Sequence, residues 1–367
     1  MLPRAPLLVR DLEVMLAAAC ALERLALQPA YQAEVLAHTP SSARLGAVPT
    51  ILMGYDFHLT AVGPKLIEVN TNAGGLFWDG RWLAQPALWS EPLPERLMQM
   101  LAEAFPQGPI AIVDAEIRKQ PMFPEMQAYA ALCERAGIGV VLCDLQDLRF
   151  SEVLRAGERT VRGIYNRHTD FYLQQMASFP ILAALEAGIP VHPNPKAYAL
   201  SADKRRMVEW GKPAFLRRFL SEEDAKTIRR VLVDTRPLAS FDRDALWRER
   251  RCWVFKPAAS HAGKGVVLGR RITRKRFAAL DPDALAQRYV PPAKLVHEGV
   301  AWKTDVRIYT AFGRPLAVAA RLWRGQTPSF REGGGFTPVE VFDRDRYPPS
   351  VQLAETPNAD SPGQTAA

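Results

Sequence analysis

The chain has 367 residues, 48 % of them apolar, and 47 Lys and Arg against 39 Asp and Glu give a formal charge of +8 and a pI near 9.4. That size and apolar content exclude a disordered chain and allow two or three domains with a sizeable core. The basic balance suits an anionic partner: a nucleotide, an acidic metabolite or a nucleic acid.

Residues 10–38 read as helix, with Leu12, Met15, Leu16, Ala19 and Leu22 at helical spacing and Pro29 splitting the segment. "VMLAAACAL" (14–22) has the apolarity of a secretory leader, but Asp11, Glu13 and Glu23 flank it, so it reads as an amphipathic helix. Strands follow at 50–60 and 65–70 with the turn signal "AVGP" between them, then a helix over 92–105. Composition next alternates: strand 109–115, helix 123–137, strands 138–144 and 160–166, a helix over 170–187 and "IPVHPNP" at 189–195. This is the pattern of a small parallel α/β domain. Broken helices fill 202–250, before strands at 252–258 and 265–269, a helix near 273–280 and the extended "LAQRYVP" at 285–291. Residues 305–323 read as a hairpin turning on Gly313–Arg314, and "FREGGGFTP" as a glycine-rich loop. From about 345 the chain is proline-rich and reads as a disordered tail.

Cys20, Cys133, Cys143 and Cys252 are scattered, with neither metal-ligand spacing nor a disulfide framework, which fits a reducing cytoplasm. No apolar run reaches the roughly 18 residues of a membrane span. "RRITRKR" (270–276) lacks interleaved aromatics and reads as a solvated surface rather than a nucleic-acid arm.

Several residue groups carry chemistry. In "PKLIEVNTNAGG" (64–75), Glu68 and Asn70 are two apart, so in a strand their oxygens share one face. In "WVFKPAASHAGKGVVL" (253–268) a strand delivers Lys256 to a small-residue loop holding Gly263 and Gly265. Such a loop closes backbone N–H groups over phosphates while the lysine neutralises charge; read alone it is equally an ordinary hairpin. "LAQRYVPP" (285–292), with Gln287, Tyr289 and Val290, offers an edge backbone that can hydrogen-bond a purine, although in isolation a buried strand fits better. Asp305 and Arg307 share a strand face, Arg321 lies on the return strand, and Arg331 sits beside three glycines. Converging guanidiniums suit a multiply charged anion; a structural ion-pair network is the competing reading. "GIYNRHTDF" (163–171), with Asn166, Arg167, His168 and Asp170, ends a strand of the α/β region, where ligands often bind; it is expected to help bind the acceptor substrate and serves equally as a satisfied surface loop.

Taken together these pieces resemble the ATP-grasp superfamily, and 286–291 is similar to its glutathione synthetase branch. In that family the strands carrying Asp and Glu-x-Asn come last; here "GYDFHL" with Asp56 and "LIEVN" with Glu68 and Asn70 come first. The chain therefore resembles a circularly permuted ATP-grasp protein, an α/β (α+β) fold with a Rossmann-like pre-ATP-grasp domain. The resemblance implies a permuted C-terminal portion at 1–105, the Rossmann-like domain at 106–200, the nucleotide-binding subdomain and core at 201–345, and a tail at 346–367. It further implies an ATP-dependent carboxylate–amine (or carboxylate–thiol) ligase acting through an acyl phosphate. ATP and one or two Mg²⁺ would be held by Asp56, Glu68 and Asn70 as metal ligands, with Lys204, Lys256, Gly263, Gly265, Gln287, Tyr289, Val290 and Asp305 around the nucleotide. Arg307, Arg321 and Arg331 would act on the transferred phosphoryl group. Arg288 stands where many relatives have an acid, and Ser329 and Arg331 where relatives often have Asn. A phosphotransferase on the same fold and a nucleotide-binding module without turnover are the alternatives. The implied partners are a small-molecule carboxylate and an amine, with a homodimer allowed and neither a membrane nor a nucleic-acid partner expected.

Overall fold

The computed structural model describes residues 2–258, 265–326, 328 and 333–355. Strand β1 (Ala5–Leu8) runs into helix α1 (Val9–Ala26), and α2 (Pro29–Leu36) starts at Pro29, which breaks the preceding helix but is tolerated in a first turn. Strands β2 (Met53–Thr60) and β3 (Gly63–Asn70) form a hairpin, followed by α3 (Leu93–Ala104). Then β4 (Ile110–Asp114), α4 (Phe123–Arg135), β5 (Val140–Asp144), β6 (Gly163–Asn166), α5 (Phe179–Glu186) and β7 (Val191–His192) alternate. Helix α6 (Glu222–Val231) precedes β8 (Thr235–Pro237), β9 (Trp253–Lys256), β10 (Val267–Leu268) and β11 (Leu285–Arg288). The last strands are β12 (Ala293–His297), β13 (Val300–Ala311), β14 (Arg314–Trp323), β15 (Gly335–Thr337), β16 (Val339–Phe342) and β17 (Val351–Gln352).

Three main sheets result. The central, seven-stranded sheet runs β15-β14-β13-β12-β17, with β2 paired to the far half of β13 and β3 beyond β2. It therefore joins strands from both ends of the sequence. The tie is doubled where β1 pairs in parallel with β16. A parallel four-stranded sheet, β7-β6-β4-β5, accounts for the alternating middle of the chain. An antiparallel sheet, β8-β11-β9-β10, carries the Lys256 strand. Met15, Leu22, Tyr55, Phe57, Ile308 and Val318 are buried in one cluster between α1 and the central sheet. Each such side chain contributes about 1.5–3 kcal/mol through removal from water.

Of the two readings of 285–292 the buried strand holds: β11 pairs with β8 on one side and β9 on the other, and Leu285, Ala286 and Gln287 are all buried. Three expectations need correction. The helix expected over 170–187 begins only at Phe179, since Asp170 accepts from the Gln175 N–H and the Ser178 hydroxyl and holds 170–178 in turns. The hairpin turn falls on Phe312–Gly313, both at positive φ (49° and 74°), one residue early. The expected tail begins too soon: β17 pairs with β12, and Val351 packs against Leu295 and Leu322. The stretch 356–367 lies outside the described residues.

Candidate functional site

A cleft of about 380 Å³ lies between the central sheet, the antiparallel sheet and the end of the parallel sheet. That volume is ordinary for a small-molecule site. Ten of the predicted residues line it: Glu68, Asn70, Lys204, Lys256, Gln287, Tyr289, Val290, Asp305, Arg307 and Arg321. Asp56 lies beneath its floor and Gly265 outside its lining, while Gly263 and Arg331 fall outside the described residues.

The floor is an ion-pair chain set by strand register. Arg307 faces Asp56 across β13 and β2, and Asp305 faces Arg321 across β13 and β14. Arg307 donates from Nε to Asp56 Oδ1 (2.5 Å) and from Nη2 to Oδ2 (2.7 Å). Arg321 Nη2 reaches both Asp56 Oδ2 (2.8 Å) and Asp305 Oδ2 (2.6 Å), and its Nε donates to Asp305 Oδ1 (2.9 Å). Burial alone would raise the Asp56 carboxyl, but Arg307 and Arg321 hold it well below the usual carboxylate range. Burial works against the Arg321 charge, yet Asp305 and Asp56 keep its guanidinium firmly protonated.

Two residues with expected ligand roles are thus engaged by guanidiniums in this structure. Asp56 is 1 % exposed and both its oxygens are spent on guanidiniums, with Asn70 Nδ2 also donating to Oδ2 (3.1 Å). Its geometry is that of an ion-pair partner, with Oδ1 accepting from one guanidinium and Oδ2 from two. Asp305, expected around the nucleotide, is the bidentate partner of Arg321. The competing sequence reading, a structural ion-pair network, describes these side chains correctly.

Oxygens that a hard cation could use remain beside them. Glu68 and Asn70 both line the cleft, as their spacing predicts. Asn72 lines it too; its Nδ2 donates to the His168 carbonyl (3.1 Å), whereas Oδ1 is buried with no hydrogen-bond partner among the described residues. A set of one carboxylate and two amides suits Mg²⁺ completed by other oxygens. Among the described residues no three His, Cys, Asp or Glu side chains are grouped to hold a metal by themselves.

Lys256 is buried and donates from Nζ to the Ile67 carbonyl (3.1 Å), which also accepts from Gln287 Nε2 (3.3 Å). Ile67 is the unpaired residue of a β-bulge: Asp56 faces Glu68 but Phe57 faces Leu66. The bulge thus turns a carbonyl toward the antiparallel sheet and pins it to the floor. Burial pushes the Lys256 amine down to about 8, with nearby Glu68 pulling the other way. Just beyond β11, the Tyr289 N–H bonds to the Cys252 carbonyl and the Val290 carbonyl contacts His58 Nδ1 (2.8 Å).

Sequence reasoning missed His58, which lines the cleft, and Glu125, which supports its wall. His58 lies two residues after Asp56 on the same strand, a spacing that could have found it; burial lowers its basicity. Glu125, on α4, accepts from the N–H groups of Gly75, Leu76 and Phe77 (2.8, 2.8 and 3.1 Å) and shapes the wall after Asn72. There Gly75 has φ +108° and a Cβ would lie 2.3 Å from the Phe336 ring, so only glycine fits. Nothing local in the sequence marks Glu125. Arg167 belongs to the segment expected to help bind the acceptor substrate. It is 7 % exposed and lines the cleft from the end of β6, with Nη1 donating to the Tyr165 hydroxyl (3.3 Å). Its neighbours Asn166 and Asp170 only bond their own loop.

No family model matches the chain, and no curated protein matches it. Among solved structures, it is similar to an apo-form glutathione synthetase-like effector, GSS30, from Globodera pallida. There the TM-score is 0.59 at 13 % identity over 92 % of this chain and 89 % of that one. It is also similar to a proposed gamma-glutamylcysteine synthetase from Methylobacillus flagellatus KT, with TM-score 0.51 at 13 % identity over 89 % of this chain and 88 % of that one. The likeness is one of fold: a mixed α/β architecture of the glutathione synthetase-like kind.

Proposed function

We propose that the cleft binds ATP and a small carboxylate and joins the carboxylate to an amine (or thiol), on a circularly permuted ATP-grasp fold. The observation that carries this reading is the convergence of Lys256, Arg307, Arg321, Glu68 and Asn70 on one cleft from opposite ends of the chain. The glutathione synthetase-like fold supports it. In the reaction, a carboxylate oxygen attacks the γ-phosphorus and ADP leaves. The amine then attacks the acyl carbon, phosphate leaves, and a proton is lost from nitrogen.

Lys256 supplies positive charge to the nucleotide phosphates from the floor of the antiparallel sheet. Arg307 and Arg321, held in place by Asp56 and Asp305, present fixed guanidinium edges where charge builds on the transferred group. Their preorganisation is what makes such donors effective. Gln287, Tyr289 and Val290 border the base, with Lys204 on the cleft wall, and the nucleotide-binding role proposed for Gly263 and Gly265 rests on the sequence. Glu68, Asn70 and Asn72 would hold Mg²⁺, which neutralises phosphate charge when bound. Arg167, across the cleft, suits a carboxylate of the acceptor substrate. The proposed division of the chain is 1–105 and 201–345 as ATP-grasp and 106–200 as pre-domain. A cytoplasmic location is part of the proposal; separately, among the described residues no helix is long and apolar enough to cross a membrane.

A nucleotide-binding module without turnover is the second reading, favoured by the commitment of Asp56 to guanidiniums. The test is ADP release with Mg²⁺ across amino acids, dipeptides and polyamines, with hydroxylamine added to trap an acyl phosphate. Ligation predicts a hydroxamate and acceptor-dependent ADP release, both lost in Glu68→Ala. Tight ATP binding with neither product would select the second reading.

A further inference from the structure

The net charge of the protein is not spread over it. Residues 235–288, the span from β8 to β11, hold thirteen Lys and Arg against five Asp and Glu, while the remainder holds 34 of each. The whole formal charge of +8 therefore resides in the antiparallel sheet and its loops.

Within it, two short 3₁₀ turns, Arg250–Cys252 and Gly269–Arg271, are packed backbone to backbone. Gly269 makes this possible: a Cβ there would sit 1.8 Å from the Arg250 carbonyl oxygen. Each turn carries two consecutive arginines, so the contact crowds like charges together. Arg250 lies flat on Trp247 (4.0 Å to the ring centroid) and donates to the Trp247 carbonyl (3.0 Å). Arg251, Arg270 and Arg271 are exposed, and among the described residues none of them has a carboxylate partner. With Tyr289 they line a shallow hollow in which Arg270 stands over the Tyr289 ring at 5.2 Å. Arg270 and Tyr289 also line the main cleft, so the hollow opens at its rim.

Like charges held together without counter-charge destabilise a fold, and unpaired guanidiniums are forks shaped for phosphate. We propose that this hollow is a second anion site, outside the cleft, that takes a phosphate-class anion between Arg251 and Arg271. The "RRITRKR" run then has a role that its linear sequence conceals, because the completing arginine and tyrosine come from other strands' ends.

The probe is inorganic pyrophosphate, titrated calorimetrically at about 0.15 M salt, where charges more than roughly 8 Å apart are screened. The double variant Arg251→Gln/Arg271→Gln should bind it at least about tenfold more weakly than the unaltered protein, since each guanidinium contact is charge-assisted. Without ligand that variant should melt at or above the unaltered protein's temperature, because repulsion is relieved. Pyrophosphate should raise the melting temperature of the unaltered protein more than that of the variant. Lys256→Met, which alters the cleft, should retain the pyrophosphate site whether or not the cleft binds ATP. Loss of binding in Lys256→Met with retention in the arginine variant would overturn the proposal. So would an equal loss in Lys275→Gln/Arg276→Gln, which would mean a diffuse field, and so would no binding at this salt.

Discussion

Replacing Asp56 by Asn separates its two candidate roles by the sign of a stability change. A carboxylate kept beside Glu68 to bind metal repels its neighbour in the unliganded protein, so its neutralisation would raise the melting temperature. The structure gives Asp56 the opposite environment. It is 1 % exposed and accepts from Arg307 at 2.5 and 2.7 Å and from Arg321 at 2.8 Å. Among the described residues, removing it leaves Arg307 with only the Gly74 carbonyl at 3.1 Å as a polar partner besides aromatic rings, whereas Arg321 keeps Asp305. Breaking a buried pair from one side costs about 3–5 kcal/mol because the other charge stays buried. At roughly 2 °C per kcal/mol for a chain of this size, the melting temperature should fall by about 6–10 °C. Adding Arg307→Met to Asp56→Asn should restore much of that loss, since the stranded charge goes too. Differential scanning fluorimetry without nucleotide suffices. An unchanged or raised melting temperature in Asp56→Asn would refute the ion-pair account and return Asp56 to the metal.

Two pH effects follow from other buried groups. Lys256 is cationic in the free protein only below about 8, so affinity for a non-hydrolysable ATP analogue should fall as pH rises from 7 to 9, and Lys256→Met should flatten the profile. Equal slopes in both proteins would remove Lys256 from the phosphates. Glu23, on α1, is buried beneath the central sheet, where burial raises its carboxyl despite hydrogen bonds from Thr310 and Tyr55. A raised folded value favours the neutral acid, so this stabilisation is full below the ordinary glutamate range and is lost as pH climbs through the folded value. Melting temperature should therefore decline from pH 4.5 to 7 more steeply than in Glu23→Gln, and parallel curves would contradict it.

The sequence made local periodicity plain, and with it most strands and helices. It also exposed same-face pairs: Glu68 with Asn70, and Asp305 with Arg307, lie as their spacing of two dictates. The cross-strand relation of Arg321 was legible because a short hairpin fixes register, even with the turn displaced by one residue. What stayed hidden was long-range. Asp56 and Arg307 are 251 positions apart, and no local pattern says that two guanidiniums will consume that carboxylate. The bulge at Ile67 was invisible for the same reason, being a response to the neighbouring sheet. Burial of β11 on both sides and the pairing of β17 likewise depend on strands distant in sequence.

The pairing of β2 with β13 constrains how the protein is made. At about 5–20 residues per second, a ribosome needs roughly 12–50 s to pass from Asp56 to Arg307. Through that interval β2 and β3 have each other but not the strand that buries them, and the apolar face of Tyr55 and Phe57 has to be shielded from neighbouring nascent chains. Such distant pairing favours slow maturation, a need for chaperone protection and vulnerability to proteases until the C-terminal strands emerge.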